Sequence, residues 1–192
     1  MRSFVEKIRA LTGKSATNYD PEPLYTAIVA QARTPNLYRT DFMVPNTLDG
    51  RFDSLCLHLH LVLRRFGETE EFTQQTQSLL DRFFKDMDQT VREIGVGDMS
   101  VGKHVNKMAK AYYGRALAYE AVLHDHQMLS EKIMQNIFGV ELKDQNTSEI
   151  SDEAKNLASY AMAQAKNIQK QNTVDIIQGK ITFLPAVIVA TA

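Results

Sequence analysis

Apolar residues recur every three or four positions along most of the chain, the spacing that places them on one face of an α-helix. The clearest stripe runs from Phe72 to Ile94 and stops at Gly95. A glycine directly after such a stripe commonly ends a helix, because glycine adopts the left-handed conformation without steric cost. We find no convincing run of alternating strand residues. We therefore predict an all-α fold, a single compact domain of about six to seven helices with one long ordered loop.

The other helices are predicted by the same criterion, with ends placed at prolines, capping side chains and glycines. They cover residues 21–33, 51–66, 100–123, 124–139 and 152–179. Residues 51–66 are apolar almost all round the helix, as expected for a central buried helix. The last helix carries a stripe of alanines that suits close helix packing.

Residues 34–50 separate the first two body helices and contain two prolines, two asparagines and a glycine. We predict an ordered loop here. A loop of this length is unusual in a compact domain and often serves binding. Its apolar residues, including Tyr38, Phe42 and Val44, either contact a partner or pin the loop to the core.

The segment GVGDMSVGK, residues 95–103, resembles the start of a phosphate-binding P-loop. The following residue is His104, where a P-loop needs a hydroxyl to hold magnesium, and a helix precedes the glycines where a strand is required. We therefore interpret the segment as a hinge between two helices.

Within this hinge, each polar or glycine residue has an expected structural role. Gly95 ends one helix and Gly97 permits a sharp reversal. Asp98 or Ser100 caps the next helix, and Gly102 allows a close helix approach.

Composition argues against several classes of partner and site. The chain has 22 Lys and Arg against 23 Asp and Glu, a net charge of −1, which argues against a nucleic-acid partner. Cys56 is the single cysteine, so neither an intramolecular disulfide nor a cysteine-rich zinc site is expected. No segment approaches 18 uninterrupted apolar residues, and we predict neither a spanning helix nor a secretory signal.

We divide the chain into an amphipathic N-terminal segment (1–20), a helical domain (21–179) and an apolar tail (180–192). In the first segment apolar residues share one helical face beside a basic excess. It is either a surface anchor on acidic lipids or a terminal helix packed on the body. The tail is expected to dock on its own domain, with a partner or a membrane as the alternatives.

Catalytic chemistry is not evident. His58 and His60, like His124 and His126, are two positions apart, and such side chains diverge by about 200° on a helix. No metal site is predicted from them. No nucleophile-elbow sequence is present either, so we predict no catalytic residue and no cofactor.

Several short pieces occur in a specific order and spacing: AQAR at 30–33, VPNT at 44–47, GRFD at 50–53, RE-x-GVGD at 92–98, VGK at 101–103 and YGR at 113–115. Together they resemble the ubiquinol-cytochrome c chaperone family over roughly residues 21–140. The family typically has Asp at the position of Asn46. The resemblance implies a non-enzymatic chaperone that binds newly made cytochrome b and supports assembly of the ubiquinol-cytochrome c reductase (bc) complex.

The resemblance also implies a setting. Family members in mitochondria work with a small partner subunit, whereas this sequence looks bacterial. We therefore expect a cytoplasmic protein, peripheral to the inner membrane through residues 1–14, with the mitochondrial matrix as the alternative. Other function classes stay open: a membrane-surface helical scaffold or ligand-binding protein, and a metal-dependent helical-bundle enzyme.

We expect the loop 34–53 and the GVGD hinge to form the partner-binding surface. The candidate residues are Tyr38, Phe42, Val44, Arg51, Arg65, Arg92, Asp98, Lys103, Lys107 and Arg115. Charged groups would steer the client, and Phe42 and Val44 would serve as apolar anchors. The alternative is structural: ion pairs of Arg51 with Asp53, or of Arg92 with Asp98, would hold this side together.

Overall fold

A computed structural model describes residues 19–39, 41–67, 70–140 and 150–187. Over these residues the chain forms α-helices and no strand, which confirms the all-α prediction. The helices are α1 (Glu22–Ala32), α2 (Leu48–Phe66), α3 (Thr73–Glu93), α4 (Asp98–Val122), α5 (His126–Asn136), α6 (Asp152–Gln169) and α7 (Thr173–Ile177). Short 3-10 turns lie at Pro35–Tyr38 and Glu70–Phe72. The predicted membrane-contact segment, residues 1–14, lies outside the described residues.

Helix α2 is the centre of the fold, as predicted. Every residue from 53 to 63 is buried, and α1, α3, α4 and α6 all pack against the helix. Burying each of its leucines between residues 55 and 63 contributes about 1.5–3 kcal/mol. The helix begins at Leu48, earlier than predicted, because the Thr47 side chain caps it by accepting the Gly50 N–H at 3.1 Å.

In the hinge between α3 and α4, the structure confirms the role predicted for Gly95. Gly95 has φ +86, the left-handed conformation expected of a glycine that ends a helix. Helix α4 begins at Asp98 with Gly97 as its N-cap, and no side chain caps it. Capping by Asp98 or Ser100 is therefore wrong. The Asp98 carboxylate instead accepts a hydrogen bond from Arg92 at 2.6 Å.

The other two hinge glycines do not have the roles predicted for them. Gly97 has φ −62, which any residue adopts. A Cβ atom added at Gly97 or Gly102 would meet nothing within 4 Å. The chain does reverse between α3 and α4, but the reversal does not require glycine at position 97, and the close helix approach expected at Gly102 is wrong.

The C-terminal part departs from the predicted single helix at 152–179. Helix α6 ends at Gln169, and the Asn172 side chain starts α7 by accepting the Val174 and Asp175 N–H groups at 2.8 and 3.4 Å. A side chain that satisfies these first-turn amides favours a new helix start over continuation.

Residues 180–187 then lie extended along α6, held by two glutamine side chains. Gln164 accepts the Leu184 N–H at 3.0 Å and donates to the Leu184 carbonyl at 2.7 Å. Gln171 makes the same pair of hydrogen bonds with Thr182, at 2.9 and 2.7 Å. The described part of the tail docks on its own domain, as expected. Among the described residues no helix combines the length and apolar character needed to cross a bilayer.

Two buried histidines lie on opposite sides of α2. His58 Nδ1 lies 2.8 Å from the Ser54 carbonyl, and its Nε2 lies 2.9 Å from the Tyr160 hydroxyl. A carbonyl can only accept, so Nδ1 carries the proton and neutral Nε2 accepts from Tyr160. His60 Nε2 lies 3.5 Å from a Glu120 carboxylate oxygen. Burial lowers the pKa of His58 to about 4 and that of His60 to about 3.

We predict that the two buried histidines lower the free energy of unfolding as the pH decreases from about 6.5 towards 4, and that they outweigh the opposite effect of Asp53, whose pKa burial raises. The unfolded chain protonates its histidines near pH 6.5, whereas the buried rings stay neutral, so acid favours the unfolded state. Replacing His58→Gln keeps a donor and an acceptor and should reduce the slope by up to about 1.4 kcal/mol per pH unit. Urea unfolding at several pH values measures it. An equal slope in His58→Gln would contradict the prediction, and exposed His124→Gln is the control.

Gly50 is a point of tight packing at the start of α2, because a Cβ atom there would lie 1.9 Å from the Pro45 carbonyl oxygen. We predict that Gly50→Ala lowers the free energy of unfolding by about 2 kcal/mol or more, because the loop main chain must shift. The matched control is Gly102→Ala, in open space on α4, which should stabilise the chain by about 0.5–1 kcal/mol. Chemical denaturation compares them. Equal stability of the two variants would refute the close contact.

Candidate functional site

A cavity of about 590 Å³ opens between the start of α2, the end of α3, the middle of α4 and the residues after α5. Its volume lies in the range of ligand-binding pockets, which is about 300–1,000 Å³. Its walls are mainly apolar and include Leu48, Phe52, Ile94, Met108, Ile137 and Phe138.

Helix α4 supplies one wall through a single stripe of side chains. His104, Lys107, Met108, Ala111 and Arg115 recur at helical spacing and all line the cavity. The neighbouring stripe of the same helix, with its buried tyrosines, points into the core. The periodicity of α4 therefore places basic and apolar groups together on the cavity side.

An ion pair between Asp53 and Arg115 lies at the floor of the cavity. Arg115 Nη2 lies 2.7 Å from Asp53 Oδ1, and the guanidinium group sits over the Phe52 ring at 5.6 Å from its centroid. Burial raises the pKa of Asp53 to about 7, although Arg115 opposes the shift. This pair ties α2 to α4 at the base of the cavity.

The expected pairing of Arg51 with Asp53 is wrong. Arg51 is exposed, and its Nε donates to the Asn46 side chain at 2.9 Å. Arg51 and Asp53 are two positions apart on α2, and side chains at this spacing on a helix project about 200° apart. Asp53 faces α4 and takes Arg115 as its partner.

The cavity rim combines exposed apolar and basic side chains. Leu48 and Ile94 are 49% and 56% exposed, which is unusual for large apolar residues next to a cavity. Lys107 on the α4 side is exposed, as is Lys103 one turn before it. Such a rim suits an apolar client with acidic groups at its edge.

The loop candidates are mostly turned inward. Phe42 and Val44 are 1% and 2% exposed, and Phe42 packs edge-on against Tyr160. Tyr38 is half-buried and donates its hydroxyl hydrogen to the Ala32 carbonyl at 2.7 Å. In this conformation Phe42 and Val44 pin the loop to the core, the alternative considered above, and neither side chain is available to a partner.

The remaining candidates fall into separate places. Arg92 and Asp98 pair with each other at 2.6 Å at the exposed hinge, and Arg92 also pairs with Asp88. Arg65 is half-buried near the end of α2, about 18 Å along the helix axis from Asp53. The structure therefore brings Lys107 and Arg115 together at the cavity, leaves the hinge residues beside it, and places Arg65 elsewhere.

Sequence reasoning missed the part of the cavity wall that is formed by the end of α5 and the residues after it. Residues 135–139 line the cavity, with Phe138 half-buried. They meet α2 and α4 only through tertiary packing, so no local pattern identifies them. The exposed Ile94 was also missed, because it occupies the last position of an apparently inward stripe.

We predict that Arg115→Ala lowers the free energy of unfolding by about 1–2 kcal/mol more at pH 8 than at pH 5.5, because at pH 8 the buried Asp53 carboxylate loses its cation and has to take up a proton. At pH 5.5 Asp53 is already protonated. Urea unfolding at both pH values tests this. Adding Asp53→Asn should recover much of the loss, and Lys110→Ala, an exposed cation of α4, is the control. A loss independent of pH would rule out this account.

Comparisons with known proteins agree on one family. The family model described as "Ubiquinol-cytochrome C chaperone" matches residues 40–183. Among solved structures, the crystal structure of the Cbp3 homolog from Brucella abortus matches with a TM-score of 0.73 and 31% sequence identity. The match covers 86% of this chain and 89% of that chain. No curated protein matches this sequence.

Proposed function

The chain belongs to the ubiquinol-cytochrome c chaperone family, and on that premise we propose that its cavity binds newly made cytochrome b and supports its incorporation into the bc complex. In this proposal the chain acts without catalysis, at the cytoplasmic face of the inner membrane, alone or with a small partner subunit. The observation that carries the proposal is the mainly apolar cavity with exposed large apolar residues at its rim.

The chemistry of the client supports this choice of site. A membrane protein that has not yet been assembled exposes apolar helical segments, and burying them in an apolar groove keeps them from aggregating. The exposed Leu48 and Ile94 are placed to make the first apolar contacts. The cations of α4, Lys107 among them, would orient the segment and speed its encounter with the cavity.

The experiment is affinity capture of the tagged full chain after a short translation pulse, in a cell that is making the bc complex. Captured cytochrome b is quantified by mass spectrometry, separately from membrane and soluble fractions. Recovery of immature cytochrome b supports the proposal, and recovery from the membrane fraction supports the location. Its absence while bc assembly proceeds would overturn the proposed function.

The cavity itself is tested by a matched pair of variants. We predict that Leu48→Gln with Ile94→Gln reduces capture roughly tenfold, because two apolar contacts are lost. The control replaces Val174→Gln and Val187→Gln, which are 55% and 48% exposed but lie near the C-terminus. Both double variants should keep the thermal stability of the parent. Equal capture by the two would place the client elsewhere.

A further inference from the structure

Met43 has an unusual main-chain conformation. Its φ is +45, and no other non-glycine residue in the described part of the chain has a positive φ. This left-handed region is disfavoured for residues with a Cβ atom and is normally occupied by glycine or asparagine. Strain of this kind persists only where the surroundings impose it, and it concentrates at functional sites.

The same residue has a second unfavourable feature, which is exposure. The Met43 side chain is 53% exposed, whereas its neighbours Phe42 and Val44 are almost completely buried. A small or polar residue at this position would avoid exposing a large apolar side chain, and glycine would also remove the strain. Folding alone therefore does not explain a methionine here.

The surrounding contacts fix the loop on both sides of Met43. The Asp41 carbonyl accepts a hydrogen bond from the Asn156 side chain at 2.9 Å. The Val44 N–H donates to the Leu37 carbonyl at 2.9 Å. Phe42 and Val44, on either side of Met43, are buried in the core, and the Met43 side chain between them points to solvent.

Met43 also lies close to the proposed client site. Pro45 lines the cavity, and two residues of extended chain span at most about 7 Å. A methionine side chain is flexible and polarizable, so it adapts to apolar surfaces of varied shape. These properties suit a contact with an apolar segment that lies across the cavity rim.

We propose that Met43 is a client-contact residue, held outward by its strained main chain to meet an apolar segment of the newly made membrane protein. This inference rests on the proposed function and extends the client surface from the cavity onto the loop. The client is the cytochrome b of the capture experiment, and Met43 acts by binding.

Three variants of the full chain separate contact from strain. Met43→Gly removes both the apolar side chain and the main-chain strain. Because the strain is relieved, we expect its Tm to rise by roughly 2–4 °C. Because the contact is lost, we expect capture of cytochrome b to fall about three- to tenfold. Met43→Ala removes the side chain but keeps the strain, so capture should fall equally without the rise in Tm. Met43→Leu keeps an apolar contact and should capture within about twofold of the parent.

The outcomes distinguish this inference from the proposed function. Parent-level capture by Met43→Gly and Met43→Ala, with reduced capture by the Leu48 and Ile94 double variant, would overturn the role of Met43 and leave the cavity intact. Absence of any rise in Tm for Met43→Gly would overturn the strain. Failure of the parent chain to capture cytochrome b would overturn the inference together with the proposed function.

Discussion

The constraint on which the fold depends is that its central helix carries one carboxyl group and two imidazole rings into the core, where each needs a polar partner. Burying such a group alone costs several kcal/mol. Asp53 pairs with Arg115 of α4, His58 hydrogen-bonds to Tyr160 of α6, and His60 lies beside a carboxylate of α4. A hydrogen bond or ion pair forms only when its two groups lie within a short distance of each other. These contacts therefore fix how α4 and α6 sit against α2.

The cavity follows from that arrangement. Because Arg115 must reach Asp53, the α4 stripe that also contains Lys107 and Met108 faces the start of α2 across open space. The same ion pair is thus a structural tie and the floor of the candidate site. A substitution at the floor changes stability together with the site, whereas the exposed rim residues can be changed with little effect on the core. Substitutions at the rim therefore test binding more directly than substitutions of the Asp53–Arg115 pair at the floor.

The sequence was sufficient for what depends on local pattern. The central helix and the end of α3 at Gly95 follow from periodicity and from glycine chemistry. It was insufficient where two local rules compete, as at Asn172, whose capping side chain divides a helix that its apolar pattern would continue. The sequence was also insufficient to identify ion-pair partners. The local sequence around Asp53 does not indicate that its partner lies on α4 and is not Arg51. The local sequence after α5 likewise does not indicate that these residues line the cavity.

The loop before α2 shows why the remaining site residues escape prediction. Phe42 and Val44 were the apolar residues expected to contact a partner, yet both are core residues and Met43 between them is exposed. Between these two buried residues, and just before the close approach of Pro45 to Gly50, the main chain passes through the left-handed region at Met43. The core thus determines which side chain of the loop is presented to solvent. A position that breaks local preference in this way is where selection for folding alone predicts glycine, so a methionine there points to function.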